Sequence, residues 1–191
     1  ACNADCSLRE AIRAANLTPG VPDLVSVPAG TYTLTIGPSD DSPADPAAQG
    51  SGDLDIRDDL TITGAGQATT IIQAGTSAAT GIDRVLHTRQ TSAGIPDISI
   101  SGVTVRHGRC SSAGSVANPN GARCNTGGAG LLHSVDDLGA VTISDSTFTT
   151  NWNIGTNAGT GQFFLNGAGI FVGRGDTVVT SGGMVGRVTK V

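Results

Sequence analysis

The sequence predicts an all-β chain of stacked short strands, a β-solenoid, capped at its start by one short α-helix. Three observations carry that reading. Apolar residues alternate with polar ones in brief strips from Leu24 onward. Those strips recur on a common frame, and the composition is rich in Gly, Ser and Thr with 28 Gly in 191 residues. Alternation marks strands with one face buried, while Gly, Asp, Pro and Ser between them mark turns.

The helix comes first. In Ser7-Leu-Arg-Glu-Ala-Ile-Arg-Ala-Ala-Asn16, Ser7 and Glu10 have capping-box spacing, and Leu8, Ala11, Ile12 and Ala15 share one face. Asn16 and Pro19-Gly20 end it. Residues 1–20 are thus expected to be a disulfide-bearing cap, and residues 21–191 a single solenoid domain. The first strands are Leu24-Val-Ser-Val27, Tyr32-Thr-Leu-Thr-Ile36 and Leu54-Asp-Ile56. Residues 38–52 and 110–126 hold no apolar strip and read as loops.

Repetition organises the rest. Leu60-Thr-Ile-Thr-Gly64, Ile98-Ser-Ile-Ser-Gly-Val-Thr-Val105 and Val141-Thr-Ile-Ser-Asp-Ser-Thr-Phe148 align at spacings of 38 and 43 residues. A second series, Gly128-Ala-Gly-Leu-Leu132 and Gly167-Ala-Gly-Ile-Phe171, recurs after 39 residues and interleaves with the first. Self-similarity on this scale means stacked units. A propeller has a similar period, but three visible repeats are too few to close its ring.

Cysteines and charge bound the setting. Cys2 and Cys6 are close in sequence, as are Cys110 and Cys124, so disulfides 2–6 and 110–124 are the simplest of three connectivities and imply an oxidising compartment. A four-cysteine zinc site is the rival, disfavoured because neither pair has Cys-x-x-Cys spacing. The chain starts at Ala1 and holds no apolar run long enough for a signal peptide or membrane span, which fits a processed secreted protein. A net charge of -5 with scattered Arg excludes a phosphate-backbone footprint, and with it nucleic acid as a partner.

The opening Cys6-Ser-Leu-Arg-Glu-Ala-Ile12 with Ala14-Ala-Asn16 resembles the N-terminal signature of secreted bacterial CSLREA-domain proteins. Pro28-Ala-Gly-Thr-Tyr-Thr-Leu34, Gly52-Asp-Leu-Asp-Ile56 and Leu60-Thr-Ile-Thr-Gly-Ala-Gly66 continue the resemblance, which covers residues 2–105. Gly127-Gly-Ala-Gly-Leu131 and Phe148-Thr-Thr-Asn151 are similar to the Gly-Gly-Ala-Ile and Phe-x-x-Asn repeats of polymorphic outer-membrane and autotransporter-like adhesins. The resemblance implies a right-handed parallel β-helix of the pectate-lyase-like class, with residues 7–16 capping it. It also implies a bacterial protein placed outside the cell or on its surface.

Enzymes on such folds that cleave uronic-acid polymers need a base, a partner for the carboxylate and often Ca²⁺. Arg106-His107-Gly-Arg109 is the best catalytic candidate; the competing reading is a polar strand end leading into a disulfide loop. His87, beside Arg84 and Arg89, and His133, near Asp136-Asp137, read as surface or turn residues. Asp53, Asp55, Asp58 and Asp59 offer hard oxygen ligands for Ca²⁺, but their spacing does not match an EF-hand loop and the sequence favours an exposed acidic strand face. No cofactor is expected, with Ca²⁺ as the one alternative. Asn151, Asn157 and Asn166 suit turns and side-chain ladders, and Trp152 is the candidate for glycan contact.

The first functional reading is a non-enzymatic extracellular protein, an adhesin, surface or structural protein that self-assembles through its ends into fibres or binds surface glycans. The alternative is a polysaccharide lyase or hydrolase, or a glycan-binding module. One Trp, one Tyr and four Phe are few for a long sugar cleft.

Overall fold

A computed structural model describes residues 5–37, 52–89, 91, 94–111, 128–133, 139–154, 169–172, 177–181 and 188–190. The helix forms as its caps dictate: α1 spans Leu8–Ala15, the Ser7 hydroxyl accepts from the Glu10 N–H, and the Glu10 carboxylate accepts from the Ser7 N–H. Leu8, Ile12 and Ala15 are buried, as their shared face requires.

Sixteen strands follow among the described residues. The first eight are β1 (Asp23–Val27), β2 (Gly30–Thr33), β3 (Leu54–Ile56), β4 (Leu60–Gly64), β5 (Thr70–Gln73), β6 (Leu86–Thr88), β7 (Ile98–Ser101) and β8 (Thr104–Arg106). The others are β9 (Arg109–Ser111), β10 (Leu131–His133), β11 (Ala140–Ser144), β12 (Thr147–Thr149), β13 (Trp152–Ile154), β14 (Ile170–Val172), β15 (Thr177–Ser181) and β16 (Val188–Lys190). They fall into a five-stranded sheet β1-β4-β7-β11-β15, a second of order β16-β14-β10-β6-β3, a four-stranded sheet β12-β8-β5-β2 and a two-stranded ladder β13-β9.

The expected class, an all-β right-handed parallel β-helix, is corrected here. The described strands make three separate parallel sheets and a short ladder beside one α-helix, and all-parallel pairing is characteristic of α/β architectures rather than of all-β ones. Residues 110 and 111, expected in a loop, belong to β9; residues 38–51 and 112–126 lie outside the described part.

Register explains the repeats. Val25 pairs with Ile62, Ile62 with Ile100 and Ile100 with Ile143, which makes one continuous row of aliphatic side chains. Leu54, Leu86, Leu131 and Ile170 make a second row, and Tyr32, Ile72, Val105 and Phe148 a third. Among the described residues these rows form one core cluster, with Tyr32 packed against it and Leu8 and Ile12 of α1 joining it. Burying one such side chain contributes about 1.5–3 kcal/mol.

Turn residues repeat too. His107 and Thr150 both have left-handed backbones, φ 60° and 49°, at equivalent places after Arg106 and Thr149, which pair in register. Asn151 then reaches back, its Oδ1 accepting the Gly108 N–H at 2.8 Å and its Nδ2 donating to the Val105 carbonyl at 3.2 Å. Phe148 in the core and Asn151 bridging turns are thus the physical content of the Phe-x-x-Asn motif. At Gly130 any side chain would collide with the Gly169 carbonyl, so the Gly-Ala-Gly repeat marks backbones in close approach.

Candidate functional site: a buried carboxylate, histidine and arginine cluster

β3 is an edge strand whose inward residues, Leu54 and Ile56, enter the core. Alternation sends Asp53 and Asp55 to the other face, yet both are buried. What covers them is the neighbouring segment: Asp55 pairs in register with His87, and Arg84 and Arg89 flank it. Arg84 Nε lies 3.2 Å from Asp53 Oδ2, and Arg89 Nε lies 2.6 Å from Asp55 Oδ1. His87 Nδ1 sits between the two carboxylates at 3.5 and 3.6 Å.

Helix α1 closes the cluster from the chain start. Arg9 donates to the carbonyls of Gly52 and Asp53, while Asn16 donates to the Asp55 carbonyl at 2.8 Å and accepts the Arg57 N–H at 2.8 Å. Asp83 is also buried, and its Oδ1 accepts the Arg84 N–H at 2.8 Å.

Burial opposes ionisation of Asp53, but the hydrogen bond and charge of His87, then Arg84 and Arg9, outweigh it and hold the carboxyl below its usual range. Burial and the charge of Asp53 push Asp55 up to about 9 and Asp83 up to about 7. The short Arg89 contact pulls Asp55 the other way, toward the carboxylate. Asp53 and Asp55 therefore titrate as one pair, in which Asp53 ionises first.

The pair and His87 place three donor atoms within 4.8 Å of one another, a grouping compact enough to surround a metal ion. Arg84 and Arg89 nevertheless stand at the same carboxylates and already balance them, and the surroundings are cationic from Arg9 as well. This arrangement knits α1, β3 and β6 together.

No protein-family model, curated protein or solved structure matches the chain.

The other candidates scatter. Arg106 Nε donates to Gln73 Oε1 at 2.8 Å, and Gln73 Nε2 donates to Thr33 Oγ1 at 2.8 Å, so Arg106 ends a polar ladder across three strands. His107 Nδ1 contacts the Gly75 carbonyl at 2.9 Å, and Arg109 donates to the Ala79 carbonyl at 3.2 Å. Asp58 accepts the Gly20 N–H at 2.9 Å and Asp59 the Asp97 N–H at 2.9 Å, so the acidic run divides: two members buried and two capping turns. Asp97 repeats the device by accepting the Ala140 N–H at 2.7 Å. Trp152 is 49% exposed on β13. Cys6 is disulfide-bonded; Cys2 and Cys124 lie outside the described residues, and Cys110 sits on β9.

Three expectations are corrected. Asp53 and Asp55 are not an exposed strand face, His87 is buried rather than on the surface, and His133 is fully buried with its Nδ1 2.8 Å from Thr88 Oγ1. The sequence carried one usable signal, Arg84, His87 and Arg89 bunched about 30 residues after Asp53-x-Asp55. Only the register shows that the two groups meet.

Proposed function

We propose that this is a non-enzymatic extracellular protein of bacteria, related to the CSLREA-domain secreted proteins and serving an adhesive or structural role at the cell surface. The observation that supports it most is the use made of Arg106, His107 and Arg109. Each is committed to the framework by a bond to Gln73, Gly75 or Ala79, and none lines the grooves of about 500 and 210 Å³ that flank α1. A catalytic base has to reach a substrate proton. The Asp53, Asp55 and His87 group is buried and matched by its own arginines, which suits a fastening more than a reaction centre.

Self-association is the second part of the reading. Leu17, Val21, Leu24 and Ile36 are all more than half exposed; Leu17 and Val21 precede β1, Leu24 lies on it and Ile36 follows β2. Exposed apolar side chains near an open strand edge favour contact between molecules. Among the described residues no helix is long and apolar enough to cross a membrane.

Light scattering and electron microscopy of the native protein test the assembly. Oligomers that Leu24→Asp disperses are expected; a monodisperse monomer at all concentrations would remove self-association. A turnover screen on neutral and uronic-acid polysaccharides tests the other half, and activity abolished by His107→Ala would overturn the non-enzymatic reading.

A further inference from the structure

β1 is the outermost strand of its sheet, and its ladder uses only one of its two edges. The Asp23 N–H donates to Asp59, and the Val27 carbonyl accepts from Ala65, so Asp23, Val25 and Val27 turn their backbone groups toward β4. Leu24 and Ser26 therefore direct theirs the opposite way, and among the described residues those N–H and C=O groups have no partner. Unpaired strand edges are templates for another strand.

The space alongside suits one. A groove of about 500 Å³ runs between α1 and β1, within the range of ligand-sized clefts. Ala11, Ala14 and Ala15 face it from the helix, side chains small enough to leave room, and Leu24, 65% exposed, borders it from the strand. Asp23, at the first position of β1, is the one charged residue lining it, and its Oδ2 accepts from Thr18 Oγ1 at 2.7 Å. Asp58, bonded to the Gly20 N–H, adds a second carboxylate to this end.

We propose that the open edge of β1 and the groove beside it bind an extended apolar peptide segment of a partner protein, carrying one basic residue, by strand addition. The backbone of the segment pairs with Leu24 and Ser26, alternate small apolar side chains enter the groove, and the basic residue lies against Asp23. Asp23, the one charged residue lining the groove, suits a segment that carries a basic residue. Such a partner is compatible with the non-enzymatic reading and does not rest on it.

The probe is a short labelled peptide of alternating Val and Thr with one Lys, titrated into the whole protein and followed by fluorescence anisotropy. Binding is expected, weakened several-fold by Asp23→Asn or by Glu in place of the peptide's Lys, and weakened further by salt. Ser26→Pro removes an edge N–H that the ladder to β4 does not use, so the fold survives while affinity falls tenfold or more. Thermal unfolding checks that variant. A peptide with N-methylated backbone tests the same bond with the protein unaltered, and the same tenfold loss is expected. Absence of binding, or equal affinity for the N-methylated peptide, overturns the proposal. Dimers that Ser26→Pro abolishes, with no peptide bound by the native protein, would overturn it in favour of a second copy as the occupant.

Discussion

Two groups of arginine and histidine in this chain look alike in sequence and differ in every physical respect. Arg106, His107 and Arg109 crowd one turn, where each finds a separate neutral partner and remains part of the surface. Arg84, His87 and Arg89 face Asp53 and Asp55 across a strand pair and are buried with them. Closeness in sequence is therefore a poor guide to interaction here. What matters is the register that sets Asp55 opposite His87.

The sharpest test of that contrast is to remove one member of each group. Asp55→Ala leaves Arg89 buried without its carboxylate, and unfolding stability should fall by about 3–5 kcal/mol. Arg106→Ala breaks one hydrogen bond at a partly exposed site and should cost about 1 kcal/mol. Denaturant titration measures both, and equal losses would erase the distinction.

Next in size is a dependence on pH confined to the buried group. Asp83 has its folded-state carboxyl pushed up to about 7 from an ordinary value near 3.8, so the folded protein binds more protons than the unfolded chain between those limits. Its contribution is complete below pH 3.8 and lost as pH rises through about 7. Asp53, held low, contributes stability that is lost only as pH falls below 3.8. Melting temperature should therefore decrease from mildly acid to mildly alkaline solution, and Asp83→Asn should flatten the slope between pH 4 and 7. A melting temperature that rises across that range would contradict the assignment.

The smallest effects lie in the turns. Thr150 is β-branched at φ 49°, so Thr150→Gly should stabilise by about 0.5 kcal/mol after allowing for the greater freedom of glycine in the unfolded chain. His107→Gly relieves similar strain at φ 60° but loses the contact to the Gly75 carbonyl, and should be nearly neutral. Chemical denaturation of the pair separates the two contributions.

Helix α1 was legible in full, because its capping box and apolar face are local. Strands Leu60–Gly64, Ile98–Ser101 and Ala140–Ser144 announced themselves by alternation and by their common frame. The class did not follow from them: a repeat says that strands stack, whereas the partition into three parallel sheets depends on where the chain turns between them. The charged cluster was missed for a related reason. Period-two alternation assigns Asp53 and Asp55 to the face away from the core, and that face is exposed only when nothing packs on it. Strands buried on both sides usually read as continuous apolar runs, and β3, buried at every position, hides that mark because its outward residue is Asp55.

Every ladder among the described residues joins strands separated by other strands of the chain, as when Leu60 meets Ile98 and Ile98 meets Val141. Among the described residues no strand finds its partner through a tight hairpin. A newly made chain must close a long loop before each ladder begins to reward it, which makes folding slow compared with helical domains of similar size. Until β3 is paired, Asp53 and Asp55 remain in water and α1 lacks the carbonyls that Arg9 and Asn16 hold. The ionic knot needs only residues 9–89, so it can close before the second half of the chain has been made.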